Sequence, residues 1–287
     1  MMPVWYHCPF VPAELIAACG LEPRRFNADA DDFCTAQTEG ICFAVEVFLT
    51  GLKKQTQPYA VIFTTLCDQM RRVYDVYQAN GGKNGFLLNV PVTTGPDAVA
   101  LFAEELRQMA QFLCRLSGHA ARFDTIKTDA AHWKNPMPHN YRRAKIALIG
   151  GPVYACQLAA LEQSLGNRGT IVLNATENAV EQFRRALNPE AMKTDPYVEL
   201  AAAYLQTTPS IRTRPGHRFY EWLETQLQAT VVDGIILLRH PFCDHWRGVE
   251  HQLRRRPLPP VLAIEWNGSS QAAALSRLEA FLEMLEQ

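Results

Sequence analysis

The chain has 287 residues, enough for one large or two medium domains, with 48% hydrophobic and 20% charged residues, an ordinary globular balance. Lys plus Arg total 28 and Asp plus Glu 29, a net charge of −1, which gives no support to a nucleic-acid surface or an anionic membrane as partner. No stretch reaches the roughly 18 apolar residues of a membrane span. The N-terminal MMPVWYHC carries no basic leader, so the expected compartment is the cytoplasm, where thiols stay reduced.

Taken in chain order, the pattern alternates strand and helix. Residues 13–19 read as a short helix ended by Gly20, and 39–54 as a second helix. YAVIFTT (59–65) is a short, buried, β-branched strand. Residues 68–79 place Met70, Val73, Tyr74 and Tyr77 at helical spacing. FLLNV (86–90) is a strand stopped by Pro91, and 96–116 a long amphipathic helix. The polar stretch 117–143 lacks periodicity and reads as a linker or crossover. The alternation then restarts with strands at 144–149, 170–173, 231–238 and 260–265. Helices are expected at 153–165, up to 205, and at 218–228, 246–254 and 271–285. Two successive βαβ sets imply two α/β lobes with mainly parallel sheets, 1–116 and 144–287, of Rossmann-like or flavodoxin-like type.

Eight cysteines stand at 8, 19, 34, 42, 67, 114, 156 and 243. In a reducing compartment they are buried apolar thiols or metal ligands rather than a disulfide framework. No CxxC pair occurs, so a zinc ribbon or ferredoxin-type run is excluded, and any cluster must gather ligands distant in sequence.

In open parallel sheets, ligands bind beyond the carboxyl ends of strands. Cys67 follows YAVIFTTL and precedes DQMRRVYDVY; Cys243 follows VVDGIILLRHPF and precedes DHWRGVEHQL. Each falls in a strand-to-helix turn, where a helix N-terminus favours the thiolate. Asp68 and Asp244, which follow them, suit helix N-caps. Cys42 sits at a Gly-preceded helix start, EGICFAVEVFL, and supplies a third candidate thiol.

His240 and His245 flank Cys243 in HPFCDH and offer imidazole ligation. The matching positions beside Cys67 are Thr64 and Gln69, neither a usual ligand, so solvent-facing loop histidines are the preferred reading. Gly150–Gly151–Pro152 is neither a dinucleotide fingerprint nor a P-loop, and no GxSxG elbow occurs.

Several segments together resemble the iron–sulfur subunits of 2-hydroxyacyl-CoA dehydratases and benzoyl-CoA reductases. They are PAELIAACGLEPRRF (12–26), ICFAVEVFLTG (41–51), TTLCDQMRRVYD (64–75), LNVP (88–91) with FAEELRQMAQFL, DGIILLRHPFCDHWRGVEHQL (233–253) and LPPVLAIEWNGSSQAAALSRLEAFLEML (258–285). TTLCDQMRRVYD is the most specific of them. The resemblance spans nearly the whole chain in order.

It implies that Cys42, Cys67 and Cys243 hold one 4Fe–4S cluster with an open fourth iron, in the cleft between the lobes. Cys34 is the reserve candidate, and Cys8, Cys19, Cys114 and Cys156 are structural thiols. It further implies an ATP-dependent activator as electron donor, a homodimer or a related iron–sulfur subunit as partner, and an acyl-CoA substrate. The chain departs from the family in a shortened region between the lobes, reduced to about 117–143. A short member also fits the small-molecule reductases of the family, which use coupled double-cubane clusters. The alternatives carried forward are a non-catalytic, electron-transferring subunit and a scaffold without a cluster.

Overall fold

The computed structural model describes residues 1–28, 40–54, 59–126, 143–267 and 270–287. Cys34, and residues 127–142 of the expected crossover, lie outside the described residues. The chain divides into two compact units. One comprises Met1–Phe26, Leu52–His132 and Glu181–Gly216; the other comprises Asn27–Gly51, Trp133–Val180 and His217–Gln287.

The first unit holds β1 (Pro3–Tyr6), α1 (Ala13–Ala18), β2 (Glu22–Arg25), β3 (Ala60–Thr64), α3 (Asp68–Ala79), β4 (Gly85–Leu88) and α4 (Pro96–Ser117). α2 (Phe43–Lys54) precedes β3 and begins in the second unit. The strands form an all-parallel sheet in the order β2-β1-β3-β4. β3 is buried at every position, as expected of a parallel strand covered on both faces. β1 and β2 carry too little apolar periodicity to be read from sequence. β2 (EPRR) is an edge strand, where Pro23 has no ladder bond to forfeit on its open side.

Two further helices, α6 (Pro189–Thr194) and α7 (Pro196–Thr207), return late in the chain to this unit. Leu200, Ala201, Ala203, Tyr204 and Leu205 of α7 share one apolar cluster with Phe102, Leu106, Met109 and Leu113 of α4. The α4 residues recur at i, i+4, i+7 and i+11, so one stripe of the long helix is covered.

In the second unit β5 (Ala144–Gly150), α5 (Ala155–Leu165), β6 (Gly169–Thr176), α8 (His217–Thr230), β7 (Gly234–Arg239), α9 (Asp244–Leu253), β8 (Val261–Glu265) and α10 (Gln271–Leu285) follow in order. Its sheet is also all parallel, ordered β6-β5-β7-β8. Ile146–Ile149 and Ile235–Leu238 are buried throughout and form the centre of the core. A Cβ on Gly150, which has φ 137°, would stand 2.0 Å from the Leu238 carbonyl oxygen, so glycine is required for the two central strands to approach here.

The two sheets thus share one strand order, first strand flanked by second and third, fourth outside the third. Order reverses between the first and third strands, and the crevice beyond their carboxyl ends is where such sheets bind ligands. Cys67 follows β3 and Cys243 follows β7, the third strand of each sheet.

Candidate functional site

Cys67 and Cys243 are themselves the N-cap residues of α3 and α9, each with extended backbone. Asp68 and Asp244, expected as caps, are instead the first helical residues. There their charge complements the positive end of the helix dipole. The helices that follow match position by position. Met70, Val73 and Tyr77 are buried 3, 6 and 10 residues after Cys67, and Trp246, Val249 and Leu253 at the same offsets after Cys243. Cys67 is half-buried, in a turn braced by Thr65, whose hydroxyl donates to Asn89 Oδ1 (3.0 Å) and accepts from the Val90 amide (3.0 Å).

Cys42 stands immediately before α2 and is 7% exposed. Its carbonyl accepts the Val45 and Glu46 amides at 2.9 and 3.1 Å, the first intrahelical bonds. Its thiol meets that of Cys243. The shared hydrogen bond and burial push the Cys42 thiol far above its ordinary value, against the lowering effect of the Ala44 and Val45 amides. A buried thiol (Cys42) in contact with a half-buried one (Cys243) resists joint ionisation, because each thiolate repels the other where water is scarce.

Three short segments hold this pair in place. The Phe43 amide donates to the Pro241 carbonyl (3.2 Å), tying the Cys42 segment to the turn before Cys243. The Phe43 ring lies 6.0 Å from His240. His240 is buried, and its Nε2 lies 2.6 Å from the Pro152 carbonyl. A carbonyl can only accept, so Nε2 carries the proton. Burial lowers the His240 pKa and keeps the ring neutral. The expectation of two solvent-facing histidines therefore fails for His240 and holds for His245, which is exposed.

Tyr154, the N-cap of α5, closes the girdle. It is buried, its hydroxyl donates to the Ala44 carbonyl (3.2 Å), and its ring lies 6.3 Å from His240. Burial first, then the neighbouring Cys42, Glu177 and Cys156, raises its pKa well above the usual tyrosine value. Behind it Trp246 donates its indole N–H to Glu177 Oε1 at 2.5 Å. The sequence reading passed over Tyr154 and set His240 aside as a solvent-facing loop histidine. The available signal was only that GGPVY and RHPF each close a strand on neighbouring positions of the sheet.

Among the described residues, no group of three or more His, Cys, Asp and Glu side chains is gathered at metal-holding spacing. What is assembled is the pair, Cys42 with Cys243. Burial raises the Cys8 thiol, which hydrogen-bonds Thr64, and Cys19 lies in the core with its sulfur 3.6 Å from that of Cys114.

The fold and site define an α/β protein of two parallel-sheet units, with thiols at the carboxyl edges of the third strands. The profile of the family described as 2-hydroxyglutaryl-CoA dehydratase, D-component, matches residues 8–132 and 129–285, and the chain belongs to that family. No curated protein is similar enough to the chain to match it. No helix among the described residues is long and apolar enough to cross a membrane.

The paired thiols fit a sulfur-ligated metal group in kind. Two sulfurs already in contact at helix N-termini can serve one centre. A cation there offsets the repulsion that opposes their joint ionisation, since ligation requires thiolates.

Proposed function

We propose that this chain is the cluster-bearing component of a dehydratase or reductase that works by low-potential, one-electron chemistry, with a 2-hydroxyacyl-CoA as the substrate class. Cys42, Cys67 and Cys243 are the proposed ligands of a 4Fe–4S cluster. The observation that carries the reading is the contact between Cys42 and Cys243, far apart in sequence, in a chain of this family. When bound, such a group supplies single electrons at an iron left open to substrate. The protein's part is to hold the thiols, keep water out with the apolar surroundings of Phe43, Tyr154 and His240, and leave one side accessible.

Partners belong to the same proposal. The family description names a component, so a second subunit, either another copy or a related chain, is expected, and the resemblance adds an ATP-dependent electron donor. The test is anaerobic purification with iron and sulfide analysis and electron paramagnetic resonance, on the wild type and on Cys42→Ala, Cys67→Ala and Cys243→Ala. Each substitution should abolish the wild-type signal. A Cys67→Ala protein with wild-type iron content would remove Cys67 from the ligand set. Iron per chain distinguishes a single from a coupled double cluster, and light scattering reads the assembly.

The word component also favours a second reading, a subunit that carries the cluster while chemistry occurs elsewhere. Purified protein would then hold iron but turn over only with a partner added.

A further inference from the structure

The turn that delivers Cys243 contains a residue in an unfavourable conformation. The Cys243 amide donates to the His240 carbonyl at 3.2 Å, Pro241 holds the second position and Phe242 the third, with φ 59°. This is a type II arrangement, whose third position needs a positive φ and is easiest for glycine. A Cβ there crowds the following carbonyl. Burial does not compensate, because Phe242 is 48% exposed. It is the most exposed residue of the turn: His240 and Pro241 are buried and held by the Pro152 carbonyl and the Phe43 amide.

Two comparisons within the chain sharpen the point. The residue before Cys67 is Leu66, which is 7% exposed and has no positive φ. Among the described residues, Val231 is the other exposed apolar residue with positive φ, at 52° and 62% exposed. It follows the end of α8, at the amino end of β7, where a left-handed residue is an ordinary way to stop a helix. Phe242 lies at the carboxyl end of the same strand, directly before a thiol. A strained conformation that brings little burial points to a role at the site it adjoins.

We infer that Phe242 is a shielding residue, its aromatic side chain restricting the approach of water and dioxygen to the Cys42–Cys243 pair. The shielding of a cluster rests on the ligand assignment above; the shielding of the thiols does not.

The first measurement uses metal-free protein and the rate at which iodoacetamide alkylates Cys42 and Cys243, followed by peptide mass spectrometry. Phe242→Gly should react severalfold faster while melting at or above the wild-type temperature, since the strain is relieved. Phe242→Leu, which keeps an apolar cover, should fall between. Val231→Gly relieves equivalent strain and should react at the wild-type rate. The second measurement is bleaching of anaerobically loaded protein after exposure to air, expected to be faster in Phe242→Gly. Wild-type alkylation and bleaching rates in Phe242→Gly would overturn the inference. A wild-type chain that holds no iron, with Phe242→Gly still alkylating faster, would sink the ligand assignment and leave the thiol shield standing.

Discussion

Tyr154 connects two parts of the site, one through its hydroxyl and one through its ring. Its hydroxyl reaches the Ala44 carbonyl, two residues beyond Cys42, while its ring faces His240, three before Cys243. Tyr154→Phe keeps the ring and removes the bond, so it should lower stability by about 1 kcal/mol in urea unfolding. It should also quicken iron loss to a chelator. At Cys19 the expectation is inertness. Burial, and next to it Cys114, push this thiol up, and its sulfur is covered by the core. Alkylation of native protein at neutral pH should leave Cys19 unlabelled until denaturant is added. Labelling at the rate of an exposed thiol would contradict the packing of α1 on α4.

At the scale of elements, the segment before α7 is held by one buried carboxylate. Glu199 takes both terminal nitrogens of Arg185 (2.5 and 3.0 Å) and the Asn188 amide (2.7 Å). Burial acts to raise its pKa, but the Arg185 guanidinium and the Asn188 amide prevail, and the net result lies below the ordinary 4.5. A depressed carboxylate contributes stability above its unfolded pKa and loses it as pH falls through the lower folded value. Wild-type melting temperature should therefore decline as pH drops below about 4.5, and Glu199→Gln should flatten part of that decline. At neutral pH the same substitution should cost about 1–3 kcal/mol, because it takes a charge from a hydrogen-bonded, buried pair. An unchanged acid profile in Glu199→Gln would show that other carboxylates carry the acid sensitivity.

For the whole molecule the decisive feature is how the chain is shared between units. Glu181–Gly216 belongs to the unit built by the N-terminal sheet, and Asn27–Gly51 to the unit built by the C-terminal one. A chain ending at residue 143 would keep β1 to β4 and α4 but lose α7, baring the stripe of Phe102, Leu106, Met109 and Leu113. It should bind a hydrophobic dye and melt without a cooperative transition. A sharp transition would show that the first unit stands without its late segment. Within the second unit, Leu148→Ala, at a fully buried position of β5, should cost about 2–5 kcal/mol in chemical unfolding.

The sequence alone determined the long helices and the buried strands, because their periodicity records local burial. α3, read as 68–79, is found at Asp68–Ala79, and the last helix at Gln271–Leu285. It also determined that Cys67 and Cys243 occupy equivalent turns, since strand, cysteine and amphipathic helix follow one another directly in the chain. Tertiary structure decided the rest. β2 is a strand only because β1 pairs with it; four residues of EPRR carry no such pattern. His240 looks like a loop residue in HPFCDH, and only the arrival of Phe43, Tyr154 and the Pro152 carbonyl encloses it. The meeting of Cys42 with Cys243 is of the same kind. A contact across so long a separation leaves no local period in the sequence, and the folded sheet, not the neighbouring residues, brings the two sulfurs together.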